Sequence, residues 1–248
     1  MIASLGSADL VSVALIIFVA ACAQMVSGFG FALMAVPLMG LAIDVKSAVV
    51  ISTICGTASN TFQALTESRH RDGRLVRNLV VASFLGMPFG MVLLDRVDVE
   101  ALQITIGLVV LVAIVAVVAR PQGHPSPGGA IFESVAGFVS GVLATATSTN
   151  GPPLVLLLRS KGLSPDQFRA TINTVFSIIA VTTVGVFALS GRITSDVVTG
   201  SLVGLPGLIV GMALGARVRG WVSVEVFWRI VLGLLVVTAT SSIVSGLV

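Results

Sequence analysis

The sequence predicts an all-α integral membrane protein of two inverted structural repeats, each a broken, re-entrant helical hairpin followed by three full transmembrane helices. Three observations carry this prediction. Hydrophobic residues make up 56% of the 248-residue chain and charged residues only 10%, against about 25% charged in soluble domains. Charge-free apolar runs follow one another from end to end, joined by short connections of which the longest is residues 120–133. The same order of features then occurs twice.

The first run, Leu10 to Ile43, passes 34 residues without a charge and is broken near Ser27-Gly28-Phe29-Gly30-Phe31. As one helix it would reach about 50 Å at 1.5 Å per residue. That is too long for one crossing of a ~30 Å hydrocarbon core and short for two. A hairpin entering and leaving on one side is therefore expected. The runs Ser47–Thr66, Asn78–Leu94 and Ala101–Ala119 follow, each near the ~17–25 residues that span a bilayer. The second half opens with the 25 uncharged residues Ser134–Leu158, broken across residues 145–153 (Thr-Ala-Thr-Ser-Thr-Asn-Gly-Pro-Pro). Ala170–Gly191, Val197–Ala216 and Ile230–Val248 complete it. Irregular polar backbone at membrane depth is tolerated only where it is buried in protein or lines a cavity. Paired breaks in matching places of two halves point to a transporter's binding site.

The repeats are residues 1–122 and 123–248, together one transmembrane domain, divided in the only Pro/Gly-rich loop (120–129). Ser27-Gly28 is matched with Ser140-Gly141, and Pro37-Leu38 with Pro153-Leu154. Leu85-Gly86-Met87-Pro88 is matched with Val203-Gly204-Leu205-Pro206, and residues 90–97 with 211–218. A hairpin plus three crossings is an odd count, so the second half is inverted. One side then receives Arg69, Arg71, Arg74, Arg77, Arg120, Arg159, Lys161, Arg169, Arg217, Arg219 and Arg229, the other Lys46, Arg96 and Arg192. Eleven against three satisfies the positive-inside rule in a cell (inner or plasma) membrane, with both termini outside. A single crossing by each broken stretch would erase the bias.

The basic balance, net +3, is thus explained by topology, and no nucleic-acid partner is expected. Val19-Ala20-Ala21-Cys22 resembles a lipoprotein cleavage box, yet the first 45 residues hold no Lys or Arg, so an uncleaved N-terminus is expected. Cys22 and Cys55 lie inside apolar runs, which argues against a disulfide or metal site; His70 and His124 lie in loops and read as solvated. No cofactor is expected, membrane lipid is the surrounding partner, and homo-oligomerisation is compatible with the sequence.

Polar residues within the runs are uncharged, and in hydrocarbon such groups turn toward other helices, water or substrate. The candidate substrate-binding residues are Gln24, Ser27, Gly28, Gly30, Asn60 and Gln63 in the first half. Thr147, Ser148, Thr149, Asn150, Gly151 and Asn173 are their counterparts in the second. A mid-membrane break exposes a helix N-terminus whose free N–H groups and dipole attract anions. Pro152 and Pro153 suit the first turn after such a break. Two N-termini facing one another, with hydroxyl and amide donors, would cage a small oxyanion. A cation site would want carboxylates; Asp9, Glu133 and Asp196 sit at the ends of runs, where interfacial or capping roles are expected.

Residues 24–31 (Gln-Met-Val-Ser-Gly-Phe-Gly-Phe) with Pro37-Leu38, and residues 137–141 (Gly-Phe-Val-Ser-Gly) with 150–155 (Asn-Gly-Pro-Pro-Leu-Val), resemble the twin signatures of the TauE/SafE sulfite exporter family. Phe168-Arg169-Ala170-Thr171 and Gly204-Leu205-Pro206-Gly207 are similar to it too, so the resemblance covers essentially the whole chain. It implies a secondary permease that exports a small sulfur-containing anion, sulfite or an organosulfonate such as sulfoacetate. Family members often have a glycine-richer first signature; here the bulk of Phe29 and Phe31 is expected to narrow the site. The alternative is an ion-coupled importer of a sulfur compound such as thiosulfate. An intramembrane enzyme would show metal-binding carboxylate clusters or a Ser/His pair, neither of which occurs, and a purely structural subunit would have no use for paired breaks.

Overall fold

Short polar side chains set the helix ends. Asp44 accepts the Ser47 N–H at 2.9 Å, Asp72 accepts those of Arg74 and Leu75 at 3.0 Å, and Ser164 forms a capping box with Gln167. Each satisfies a first-turn N–H that has no intrahelical partner. The computed structural model describes residues 6–67, 70–98 and 129–218, with isolated helical positions between 100 and 115 and at 236 and 240. The helices delimited there are α1 (Ser7–Ser27), α2 (Phe31–Met39), α3 (Val45–Thr66), α4 (Gly73–Arg96), α5 (Ala130–Thr147), α6 (Gly151–Ser160), α7 (Pro165–Leu189) and α8 (Ser195–Val218). The described residues include no strand. The runs Ala101–Ala119 and Ile230–Val248 are described only at single positions. The expected repeat boundary, His124, Arg69, Arg120, Arg219 and Arg229 lie outside the described residues.

Among the described residues, five helices are long and apolar enough to cross a membrane: α1, α4, α5, α8 and residues 166–189 of α7. α3 has 22 residues, but its hydroxyl and amide side chains keep its hydropathy lower, and its face is buried among other helices. α2 and α6, with 9 and 10 residues, are about 14–15 Å long and reach only half that depth.

Two close helix pairs frame the bundle. In α4 and α5, glycines four residues apart on both helices bring the backbones together. A Cβ at Gly86 would stand 2.1 Å from the Phe138 carbonyl oxygen, one at Gly90 2.0 Å from that of Val142, and one at Gly141 1.9 Å from that of Ser83. In α1 and α8, Gly207, Gly211 and Gly215 likewise abut the backbone oxygens of Ala14, Phe18 and Cys22. Small residues permit such approach in lipid, where packing rather than water exclusion drives association. In both pairs the residue numbers rise together, so the helices run parallel. α3 and α7 pack antiparallel: the Thr61 and Ser177 hydroxyls are hydrogen-bonded at 2.8 Å, and Glu67 meets Arg169 at 3.6 Å. The Gly86-Met87-Pro88 and Gly204-Leu205-Pro206-Gly207 segments lie inside continuous helices, and their glycines are close-packing points.

Both broken stretches fold back. Lys161, just past α6, pairs with Glu133 on the first turn of α5 at 2.7 Å, so the chain between them returns to the end where it began. α1 is parallel to α8, and α8 starts beside the Arg192–Asp95 pair, which also marks the end of α7. α3, antiparallel to α7, starts at that same end, so the chain from α1 to α3 doubles back too.

One expectation needs correction. Ser140-Gly141 is not the counterpart of Ser27-Gly28 at a break: Gly141 is mid-helix, pressed on α4, and the second break comes seven residues later at Ser148. Glu133, expected in an interfacial or capping role, sits on the first turn of α5, buried and held by Lys161 and by the Asn78 amide at 2.8 Å. Asp9 does take a capping role, accepting the Gly6 N–H at 2.9 Å. Cys22 and Cys55 are free thiols, and His70 is exposed.

Candidate substrate-binding site

The two breaks have the same local form. α1 ends on Gly28 at φ 83° and α5 on Ser148 at φ 58°, both left-handed, and a new helix starts three residues later in each case. Ser148 is the one non-glycine with positive φ among the described residues, a conformation that needs support from its surroundings. Its hydroxyl accepts a bond from Thr53 on α3 at 2.9 Å. Thr147 and Thr149 join hydroxyls at 2.6 Å, and Ser140 donates to the Asn150 carbonyl at 3.1 Å. The first break is tied by Ser27, whose hydroxyl donates to the carbonyls of Ala23 and Phe29.

Between the breaks lies a cavity of about 40 Å³, room for about three waters or one small ion. Gly30, Phe31, Ala32 and Leu33 of the α2 start and Ser148 to Gly151 of the α6 start both line it. A Cβ on Gly151 would lie 3.8 Å from the Leu33 side chain, so the two helix N-termini face one another. Each presents backbone N–H groups without intrahelical acceptors. The remaining wall comes from mid-length positions of α3 (Ser52, Thr53, Gly56, Asn60) and α7 (Phe176, Ile179, Ala180, Thr183), with Gln24 and Ala144. No charged side chain is among the described lining residues. A directed chain backs this wall: the Gln63 side-chain amide donates to the Ser59 hydroxyl (3.4 Å), Ser59 to the Gln24 Oε1 (2.8 Å), and the Gln24 Nε2 to the Asn60 Oδ1 (2.5 Å). It occupies the Asn60 acceptor and leaves its NH2 available to a ligand. Ser52 adds an unused donor, being fully buried with no hydrogen-bond partner. A buried polar group left so is costly, and a bound oxyanion would relieve it.

Of the twelve residues expected from sequence, Gln24, Gly30, Asn60, Ser148, Thr149, Asn150 and Gly151 line this cavity. Ser27 and Thr147 instead tie the breaks, and Gln63 stands behind Gln24. Gly28 is covered by the stem of Arg169, 2.8 Å from where a Cβ would stand, and Asn173 is buried elsewhere on α7. Phe31 lines the cavity; Phe29 does not narrow it, its ring packing edge-on against Phe168 at 6.3 Å. Ser52 and Thr183 were missed. The spacing Ser52, Gly56, Asn60, four residues apart on one helical face, is the signal that finds the first.

Paired half-helices about a polar cavity are a recurrent architecture of membrane transporters, and comparison with known proteins agrees. The family model described as Sulfite exporter TauE/SafE matches residues 13–242. The chain belongs to that family and is a multi-pass membrane protein. It is 24% identical over 222 residues, 86% of this chain and 85% of the relative, to a protein of Cupriavidus necator named probable sulfite/organosulfonate exporter TauE. No solved structure matches it.

Proposed function

We propose that this chain is a secondary transporter exporting a small sulfur-containing anion, sulfite or an organosulfonate such as sulfoacetate, by alternating access around the cavity between two inverted repeats. The observation that carries it is the cavity itself: two opposed half-helix N-termini, uncharged donors, and a buried Ser52 hydroxyl with no partner. Helix N-termini favour anions through their free N–H groups and dipoles. The site residues are Gln24, Ser52, Asn60, Thr149 and Asn150, with the backbone at Gly30 and Gly151.

Reciprocal packing supports the inverted repeat. The first helix of each half lies parallel to the fourth described helix of the other, α1 on α8 and α5 on α4, while the two third helices, α3 and α7, are antiparallel. A two-fold axis in the membrane plane produces that pattern. The cavity lies halfway along α3 and α7, which supports a position near the bilayer midplane. The end carrying Arg71, Arg74, Arg77, Lys161, Arg169 and Arg217 faces the cytoplasm, which puts the N-terminus outside.

An inside-negative potential is worth about 2.3 kcal/mol per charge per 100 mV and drives a monovalent anion outward by nearly two powers of ten. Efflux needs no coupled ion, and the exporter name of the relative favours it over coupled import. Thermal denaturation of the detergent-purified protein against sulfite, sulfoacetate, thiosulfate, sulfate and chloride tests the reading. Stabilisation by one sulfur oxyanion, lost in Asn150→Ala, is expected; no response to any of them would overturn it.

A further inference from the structure

Asn173 is fully buried, and neither its amide nitrogen nor its carbonyl oxygen has a hydrogen-bond partner. Native structures seldom leave such a group unmatched, and an orphaned N–H is rarer than an under-used carbonyl. Its position in the helix says what it faces. Asn173 is the ninth residue of α7, as Thr53 is the ninth of α3. Thr53 bonds the Ser148 hydroxyl at the second break. At the first break the corresponding left-handed residue is Gly28, which has no side chain to offer. Gly28 lies against the stem of Arg169, one turn before Asn173 on the same face of α7. One turn beyond Asn173, Phe176 lines the cavity.

The missing partner is chiefly an acceptor. Two N–H donors stand unused, and a cation bound at the carbonyl would leave both orphaned, whereas an oxyanion engages them. The carboxylates at that end are engaged elsewhere: Glu67 and Asp166 with Arg169, Asp72 with the first-turn N–H groups of α4, and Glu133 with Lys161 and Asn78. We propose that Asn173 is the binding group of a second anion subsite beside the first break. Through it the transported anion passes between the Arg169 end of the protein and the cavity. This rests on the reading of the cavity as an anion site. An anion held at Asn173 hands on to the N–H groups at the start of α2, which share the break with Gly28.

The test uses full-length protein in proteoliposomes loaded with sulfite, with sulfite-induced thermal stabilisation in detergent as the readout of the cavity. Asn173→Leu, similar in volume, and Asn173→Asp, which places negative charge in the subsite, should each cut efflux at least tenfold. Stabilisation by sulfite should stay within twofold of the parent, and Asn173→Leu should melt no lower than the parent because an orphaned amide has been removed. Wild-type efflux in either variant overturns the proposal, as does efflux that falls only in proportion to folded protein. Retained efflux in Asn173→Asp with loss in Asn173→Leu would indicate a cation subsite and also overturn it. Failure of the cavity reading shows separately, as no stabilisation of the parent by sulfite.

Discussion

Ser52 and Asn150 contribute to the cavity in different ways, and each makes a separate prediction. Ser52 holds an unpartnered hydroxyl in the wall, so Ser52→Ala should leave the melting temperature unchanged or raise it. Loss of one ligand hydrogen bond, about 0.5–1.5 kcal/mol, should weaken sulfite binding up to about tenfold; titration by calorimetry measures it. Gly28 is constrained by both φ and space, since a Cβ would meet the Arg169 stem at 2.8 Å. Gly28→Ala should lower stability by about 1 kcal/mol or more, seen as a fall in melting temperature without ligand. At this scale the sequence exposed the polar residues of the breaks, because such groups are costly in hydrocarbon. It did not show which of them bond one another: Gln63, Ser27 and Thr147 are supports, and only packing reveals that.

The described helices were legible in the sequence to within a few residues, because uninterrupted hydropathy and a few capping side chains define them. Residues 145–153 contained the second break, found at Ser148–Asn150, and Pro152 and Pro153 fall in the first turn of α6. The Ser140-Gly141 match misled because small residues serve two purposes in membrane helices, turning the chain and letting helices touch, and a local motif does not distinguish them. The partners that hold Glu133 were not legible either, because Lys161 and Asn78 come from other elements. The glycine contacts make a prediction for elements. Gly141→Val and Gly90→Val force α4 and α5 apart, costing about 1–3 kcal/mol as overpacking does. Both should melt earlier in detergent, whereas Gly129→Ala, whose Cβ meets nothing within 4 Å, should not.

For the whole molecule, the account requires two inverted halves, a basic end in the cytoplasm and a single cavity reached from each side in turn. Arg71 and Ser195 are exposed and belong to opposite ends under this topology. Arg71→Cys should react with an impermeant maleimide only after the cytoplasmic face is opened, and Ser195→Cys in intact cells; the opposite pattern would invert the topology. The central claim is that a small sulfur anion crosses through the cavity. Its most direct test is efflux of sulfite from proteoliposomes under an imposed inside-negative potential. The account predicts efflux that rises with the potential, needs no sodium or proton gradient, and falls at least tenfold in Asn150→Ala at equal folded protein. Efflux that ignores the potential, or that is unchanged in Asn150→Ala, would contradict it.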